Sequence, residues 1–441
     1  MTSTTAGPGA QAANGVRAWL GDIPAHWNVK PLKHAVTMNP EVLAEGTAHD
    51  YEIAYVDIGN VNTTGRISDS LIMLFGDAPT RARKRTADGD TIISTVRTYL
   101  KAIAFIEQPP ENLTVSTGFA VLRPRQGLHP RFLFYVVQSE QFVQSVVAHS
   151  EGVSYPAINT STLGRLPIWL PPLPTQSAIA VFLDRETARI DALIAKRQRF
   201  IELLEEKRSA LITHVVTKGL DPDVPMRDSG VDWLGEIPAH WEVRPLKRVA
   251  RIRYGLGEPP AESPDGVPFV RATDISDGTI SDTKMMFIDP DDIPTGRDAR
   301  LRGGEIIVVR SGAYTGDSAF VPDNLDRAVA GYDMVVAMTG GHGRFMAWQL
   351  LSAIVKGYQF LLYRLRAAQP HLNAEQLGRT LVLLPPEDEQ QVVAHHLDRE
   401  MAKIEALVAK VRAHIERLAE LRTALVSAAV TGKIDVREQT P

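Results

Sequence analysis

Two long stretches of this chain carry apolar residues at helical spacing. From Leu397 onward, Leu397, Ile404, Val411, Leu418 and Leu425 recur every seven residues, and Leu407, Val408, Ile415 and Leu421 flank them to complete a stripe. The same register in the earlier stretch gives Leu183, Ile190, Arg197, Leu204 and Leu211, with Ile194, Phe200, Ile201 and Val215 alongside, so only Arg197 breaks the seam. Neither glycine nor proline interrupts either run, and each predicts a helix of about 42 residues, on the order of 63 Å at 1.5 Å per residue. The punctuation agrees. Pro171, Pro172 and Pro174 stop what precedes the first helix and leave Thr175 as an N-cap, whereas Pro385 and Pro386 precede Glu387, Asp388 and Glu389, whose charge suits a helix N-terminus. Gly219 and Gly432 lie where a C-cap glycine would end each helix.

A helix of that length with one apolar stripe needs a second stripe to bury it. The other copy is the natural partner, and an antiparallel pair would put one intervening region at each end of the rod; pairing between two chains is the alternative. The regions between, residues 34–165 and 248–380, read as compact mixed domains of about 130 residues. Residues 91–96, 102–105 and 119–122 look like strands in the first, and residues 306–309 and 334–337 in the second. Helical patterns follow at residues 130–148 and 344–365.

The two halves repeat. Residues 19–33 (WLGDIPAHWNVKPLK) and 233–247 (WLGEIPAHWEVRPLK) agree at 12 of 15 positions, differing only at Asp22/Glu236, Asn28/Glu242 and Lys30/Arg244. Residues 171–219 match 385–433 at 23 of 49 positions, including Leu183-Asp184-Arg185-Glu186 against Leu397-Asp398-Arg399-Glu400. One tandem duplication explains nearly the whole chain. The intervening regions share little sequence, so a common frame holds two readers of different things.

A chain of 441 residues, 44% apolar and 23% charged, has the composition of about two to four globular domains. No apolar run approaches the roughly 20 residues of a bilayer helix, and the first 15 residues resemble a disordered tail rather than a signal peptide, which points to the cytoplasm. The absence of cysteine excludes disulfides, thiolate metal sites and cysteine nucleophiles. A net charge of -4 argues against a simple nucleic-acid-coating protein, yet local charge still counts. Arg81, Arg83, Lys84 and Arg85 cluster in the first region, and Arg297, Arg300, Arg302 and Arg310 in the corresponding part of the second, as phosphate-contact candidates.

Several chemistries lack their residues. There is no Gly-x-x-x-x-Gly-Lys-Ser/Thr run to cradle a nucleotide, and no Asn/Asp-Pro-Pro-aromatic tetrapeptide to hold an amine for methylation. Pro264-Asp265 with Asp282-Thr283-Lys284 matches the loose spacing of a metal-dependent nuclease, a weak pattern without a counterpart in the first half. His395 and His396 are adjacent, which suits neither a zinc pair nor a shared ligand, so a partly exposed structural role is expected. Asp184, Arg185, Glu186 and their copies are expected to form helix-surface ion pairs. Trp27 and Trp241 are expected to be buried anchors seating the incoming strand against a helix end.

The order WLGxIPxHWxVxPLK, variable domain, LPPxxxQ, long helix with LDRE, all repeated, resembles the specificity subunit of Type I restriction-modification enzymes from Trp19 to about Val436. The resemblance implies an α+β fold in which two mixed target-recognition domains are joined by two long helices forming an antiparallel coiled coil, with pseudo-two-fold symmetry from the duplication. It implies a disordered tail at 1–18, a first recognition domain at 19–170, a spacer helix at 171–218, a linker and second recognition domain at 219–384, a second spacer helix at 385–432 and a tail at 433–441. It also implies a non-catalytic subunit that recognises an asymmetric, bipartite site in double-stranded DNA. Two modification subunits would bring S-adenosylmethionine for adenine methylation. Restriction subunits would bring ATP and Mg²⁺ for cleavage. A rigid rod would set the unread gap, and a gap of about six to eight base pairs places the half-site centres near one DNA turn, about 34 Å, apart.

Within the domains, polar residues following strands are the expected readers. Arg97, Thr98, Tyr99 and Lys101 follow one strand, and Arg310, Ser311 and Tyr314 another, so an Arg-Thr/Ser pair with a nearby Tyr recurs. Second choices are Tyr155 and Asn159 in the first half, and Gln369, His371 and Asn373 in the second.

Overall fold

The computed structural model describes residues 23–296, 298–325, 327–364 and 370–436. The tail expected at 1–18, Arg297, Leu365 and Gln369 lie outside the described residues. The chain divides into two compact units, Met1–Arg197 with Ala413–Pro441, and Gln198–Arg412.

The first unit runs through β1 (Asn28–Pro31), β2 (Val36–Met38), β3 (Glu52–Val56), β4 (Leu71–Leu74), β5 (Ala82–Arg85), β6 (Thr91–Ser94), β7 (Ile103–Phe105), β8 (Leu113–Ser116) and β9 (Phe119–Pro124). Helices α1 (Pro130–Gln138), α2 (Glu140–Ala148) and α3 (Thr160–Arg165), strand β10 (Pro167–Leu170) and the start of α4 (Leu173–Lys218) follow. Two four-stranded sheets form, ordered β2-β9-β6-β7 and β4-β3-β8-β5. Strand β6 is buried throughout: Ile93 enters the core shared with α1 and α2, while Ile92 enters the core shared with Val56 and Val115 of the other sheet. A strand with protein on both faces needs an unbroken apolar run, which is why this segment shows no alternation. The helical pattern over 130–148 is two helices, broken at Ser139, whose side chain caps α2 through the Phe142 N–H.

In the second unit come β11 (Met226–Asp228), β12 (Glu236–Pro238), β13 (Glu242–Pro245), β14 (Ala250–Tyr254), β15 (Glu262–Val270), β16 (Ile275–Ser276), β17 (Thr279–Ile280), β18 (Met286–Ile288), β19 (Ile306–Val308), β20 (Ser318–Phe320), β21 (Val329–Ala330) and β22 (Met334–Met338). Helix α5 (Gly343–Leu351), a π-helical turn (Ala353–Gln359), α6 (Phe360–Arg364), α7 (Ala374–Arg379), β23 (Leu381–Leu384) and the start of α8 (Glu387–Val430) complete it. The sheet order β14-β22-β19-β20 has the same plan as β2-β9-β6-β7. Ile306 and Ile307 repeat the division of labour of Ile93 and Ile92, one facing helices and the other a second sheet. Dissimilar sequences have kept one fold.

The long helices pack antiparallel within each unit. In the first, Trp169, just before α4, donates its indole N–H to the Val430 carbonyl at the end of α8, and Asp191 further along α4 meets Arg422 at 2.9 Å. In the second, Glu205 faces Arg412 at 3.9 Å, and Gly219 beyond the end of α4 lies against Glu389 at the start of α8. Leu183, Ile190, Leu204, Leu397, Ile404 and Val411 of the expected seam are buried. The stripe is narrower than its flanks suggested, because Phe200, Leu407 and Leu421 are exposed. Gly219 (φ 77°) and Gly432 (φ 73°) take the left-handed conformation that ends each helix. A side chain at Gly432 would overlap Pro24 and Trp27, and Trp241 lies beside Gly219, so Trp27 and Trp241 are both buried at helix ends, as expected. Thr175 is not the N-cap: α4 starts at Leu173, and the Thr175 N–H already donates to the Pro172 carbonyl.

The repeated motif residues fasten each helix to the domain beside it. Gln176 is buried; its Oε1 accepts from the His129 N–H ahead of α1 at 2.9 Å and its amide donates to the Gly127 and Pro171 carbonyls. Gln390 makes the corresponding bonds with the His342 N–H and the Pro385 carbonyl. Asp184 accepts from the Tyr135 hydroxyl at 2.7 Å, and Asp398 from Arg344 Nε and Trp348 Nε1 at 2.7 and 2.8 Å. The expectation of surface ion pairs holds for Arg185 with Glu186 at 2.9 Å and Arg399 with Glu400 at 3.6 Å, while Asp184 and Asp398 hold α1 and α5, Asp398 through an ion pair with Arg344 at 2.7 Å. Arg422 and Arg208 reach the Thr64 and Asp277 carbonyls, each in a turn of the neighbouring domain. His395 is exposed, and His396 meets Arg399.

Candidate nucleic-acid interface

In both units the loop after a central strand is bound to the segment before a short helix. In the first, Val96 bridges Ala157, the Ile158 N–H donates to the Thr95 carbonyl at 2.8 Å, and the Thr98 and Ser150 hydroxyls are 2.9 Å apart. In the second, Ser311 bridges His371, the Leu372 N–H donates to the Arg310 carbonyl at 2.7 Å, and the Gly312 N–H to the Pro370 carbonyl at 3.2 Å. The structure thus brings residues 97–101 together with 150–159, and 310–315 with 370–373.

The first loop is open and strained. Arg97 (φ 51°) and Lys101 (φ 50°) take left-handed backbone conformations, at a cost of order 1 kcal/mol each, on either side of the turn Thr98–Leu100. Arg97, Tyr99 and Tyr155 are exposed, and the Arg97 guanidinium lies 4.8 Å from the centre of the Tyr155 ring. Lys101 reaches Glu140 at 3.5 Å.

The second loop is clamped. The Arg310 guanidinium carbon lies over the rings of Tyr254 and Tyr332, 4.7 and 4.1 Å from their centres. Its Nη2 is 3.2 Å from His371 Nε2, and Ser311 Oγ is 2.8 Å from His371 Nδ1. Arginine can only donate, so Nε2 accepts; the neutral ring then carries its proton on Nδ1 and donates to Ser311. Behind the loop, the buried Asp333 carboxylate accepts the Arg310 backbone N–H at 3.1 Å, and burial pushes its pKa up to about 6. Tyr314 is exposed at the tip.

The remaining candidates have other employment. Arg81 pairs with Asp57 at 2.6 Å, Arg83 donates to the Thr80 carbonyl and stacks on Phe75, and Arg85 donates to the Glu111 carbonyl. Lys84 points at the Thr117 and Phe119 carbonyls, and burial lowers its pKa. Strand geometry separates neighbours to opposite faces, so these four do not form one basic strip. Arg302 pairs with Asp298 at 3.0 Å, and Arg300 bridges Val329 at a strand edge. Asn159 and Asn373 cap α3 and α7, accepting the Thr162 and Gln376 N–H groups at 2.8 Å. Asp265, Asp282 and Lys284 are exposed, and among the described residues no group of three His, Asp or Glu could hold a metal ion. Sequence reasoning missed Tyr254, Tyr332, Ser150 and Asp333. Only the recurring tyrosine beside each reading loop could have signalled the clamp.

Each unit thus holds a mixed domain beside antiparallel helix segments and carries an arginine and tyrosine loop at a matching place. Residues 37–203 match the model of the Type I restriction modification DNA specificity domain. Over 437 residues the chain is 25% identical to a Type I restriction enzyme specificity subunit of Methanocaldococcus jannaschii, covering 95% of this chain and 96% of that one. It is 21% identical over 333 residues to the EcoKI specificity subunit of Escherichia coli, covering 71% and 68%. A solved chain, from a structure concerned with complex assembly and conformational transition of the type I R-M system, matches with a TM-score of 0.71 at 22% identity over 94% of this chain and 100% of that one, which establishes the fold. Over nearly its whole length the chain is similar to Type I restriction-modification specificity subunits.

Proposed function

We propose that each unit of this chain reads one half of an asymmetric, bipartite site in double-stranded DNA, and that the chain directs adenine methylation and cleavage carried out by other subunits. Two modification subunits would supply S-adenosylmethionine chemistry, and restriction subunits ATP and Mg²⁺; this chain would hold none of these and act in the cytoplasm. No described helix is long and apolar enough to cross a membrane.

The observation that carries the reading is the pair of loop arginines. Arg253, Arg271 and Arg302 are neutralised by Glu305, Asp274 and Asp298. Arg97 and Arg310, at matching places in the two units, are held by tyrosine rings instead, and neither forms an ion pair among the described residues. A guanidinium resting on aromatic rings without an ion-pair contact suits an anionic partner rich in acceptors. The surroundings differ, open around Arg97 and clamped around Arg310, so unlike half-sites are expected.

Replacing residues 34–165 by the corresponding segment of a relative will change one half of the methylated motif and leave the other half and the gap as they were. Mapping methylated adenines in cells carrying the partner subunits reads this directly. A change in both halves, or in neither, would refute modular reading. Filter binding adds a second check, since affinity for duplex must fall steeply with salt if phosphates are contacted.

A further inference from the structure

We infer that Arg310 reads a guanine in the half-site taken by the second unit. This rests on the DNA-reading role above and names the base chemistry of one loop. The guanidinium carbon of Arg310 lies over the rings of both Tyr254 and Tyr332, which restrains the group before any ligand arrives. Nε is buried without a partner, which leaves the two Nη groups at the open end. Nη2 gives one N–H to His371, whose other ring nitrogen is tied to Ser311, so rotation within the plane is restrained as well. Asp333 fixes the backbone from which the side chain springs.

A phosphate also fits the arginine fork, but it carries no sequence information and accepts from many directions, so restraining the fork before binding is of most use at a base edge. A planar fork presenting two donors matches the paired O6 and N7 acceptors on the major-groove edge of guanine. Adenine would set an amino donor against one arm of the fork, cytosine offers a donor only, and thymine adds a methyl group. Discrimination against each should be roughly ten- to a hundredfold.

The test uses the full chain assembled with its modification subunits. A target is selected from random duplexes, the half belonging to the second unit is identified by the 34–165 exchange, and binding is then measured on duplexes substituted at each position. The expected result is a G·C pair in that half whose replacement weakens wild-type binding about ten- to a hundredfold, which Arg310→Gln ceases to distinguish and Arg310→Lys distinguishes less well. Undiminished discrimination at the other positions of the second unit's own half shows that the variants fold there. Retention of the full preference by Arg310→Gln would show that this side chain does not read the base and would overturn the inference. Equal weakening on every duplex, or a second half-site without a G·C pair, would overturn it too while leaving DNA reading intact. A wild-type chain that selects no target would instead remove the DNA-reading role itself.

Discussion

Trp169→Ala will lower the opening free energy of the first unit by about 3–5 kcal/mol, the range for removing a buried tryptophan from a packed core. Trp169 is fully buried in the core that joins α1, α2, the start of α4 and the end of α8. It is also the residue through which β10 meets the last turn of α8, since its indole N–H donates to the Val430 carbonyl. Alanine leaves a large apolar cavity and an unpaired carbonyl together. Trp169→Phe removes the hydrogen bond and a smaller part of the volume, so it should cost less, roughly 1–3 kcal/mol. Native-state hydrogen exchange at the amides of β9 and β10 reads both, because protection there follows local opening. Protection in Trp169→Ala within about 1 kcal/mol of wild type would show that this core does not depend on the anchor.

The long helices were legible because their signal is local and repeated. A seven-residue period survives in Leu397, Ile404 and Val411 whatever lies against it, and the duplication displayed it twice. Width was not legible. Phe200, Leu407 and Leu421 are apolar but exposed, since a periodic pattern carries the spacing of a stripe and not the reach of the surface covering it. The capping residue failed for a related reason: proline is tolerated in the first helical turn, so Pro174 sits inside α4 and the start moved ahead of Thr175.

The basic cluster shows what a one-dimensional reading conceals. Residues 81–85 look like a run of free charge, yet β5 alternates faces and its partners come from distant segments, namely Asp57, Glu111, Thr117 and Phe119. The loop arginines are the opposite case. Their chemistry was visible in the recurrence of Arg-Thr/Ser after a strand, but the rings that orient Arg310 come from Tyr254 and Tyr332, on either side of it in sequence and meeting it only in the folded sheet. The polar residues ahead of the repeated blocks carried two meanings. Tyr155 and His371 meet the loop arginines, whereas Asn159 and Asn373 are helix caps, the commonest employment of asparagine at such a place.

Asp333 gives the second unit a pH dependence that one substitution should remove. Its carboxyl is buried, and although the Arg310 N–H and the Arg310 charge favour the anion, desolvation outweighs them and holds the pKa at about 6 against an ordinary 3.8. A folded-state value above the unfolded one means that the folded chain binds the extra proton between those limits. The stability this group contributes is therefore fully present below about pH 4 and is lost as pH rises through about 6, by roughly 3 kcal/mol at 1.36 kcal/mol per pH unit. The amide introduced by Asp333→Asn does not titrate. Its carbonyl oxygen can still accept the Arg310 N–H, while its amino group inherits the position of Oδ2, which is buried without a partner, at a cost of about 1–3 kcal/mol. That cost is independent of pH, so it shifts the variant's curve without tilting it. Other titrating groups are common to both proteins and cancel in the difference. The free energy of unfolding of Asp333→Asn minus that of wild type, measured by denaturant at half-unit steps from about pH 4 to 7, should climb by about 3 kcal/mol and level off above the folded-state pKa. A flat difference would mean that the carboxyl is ionised throughout that range, with water reaching Oδ2, and that the Arg310 loop is not anchored on a dry acid.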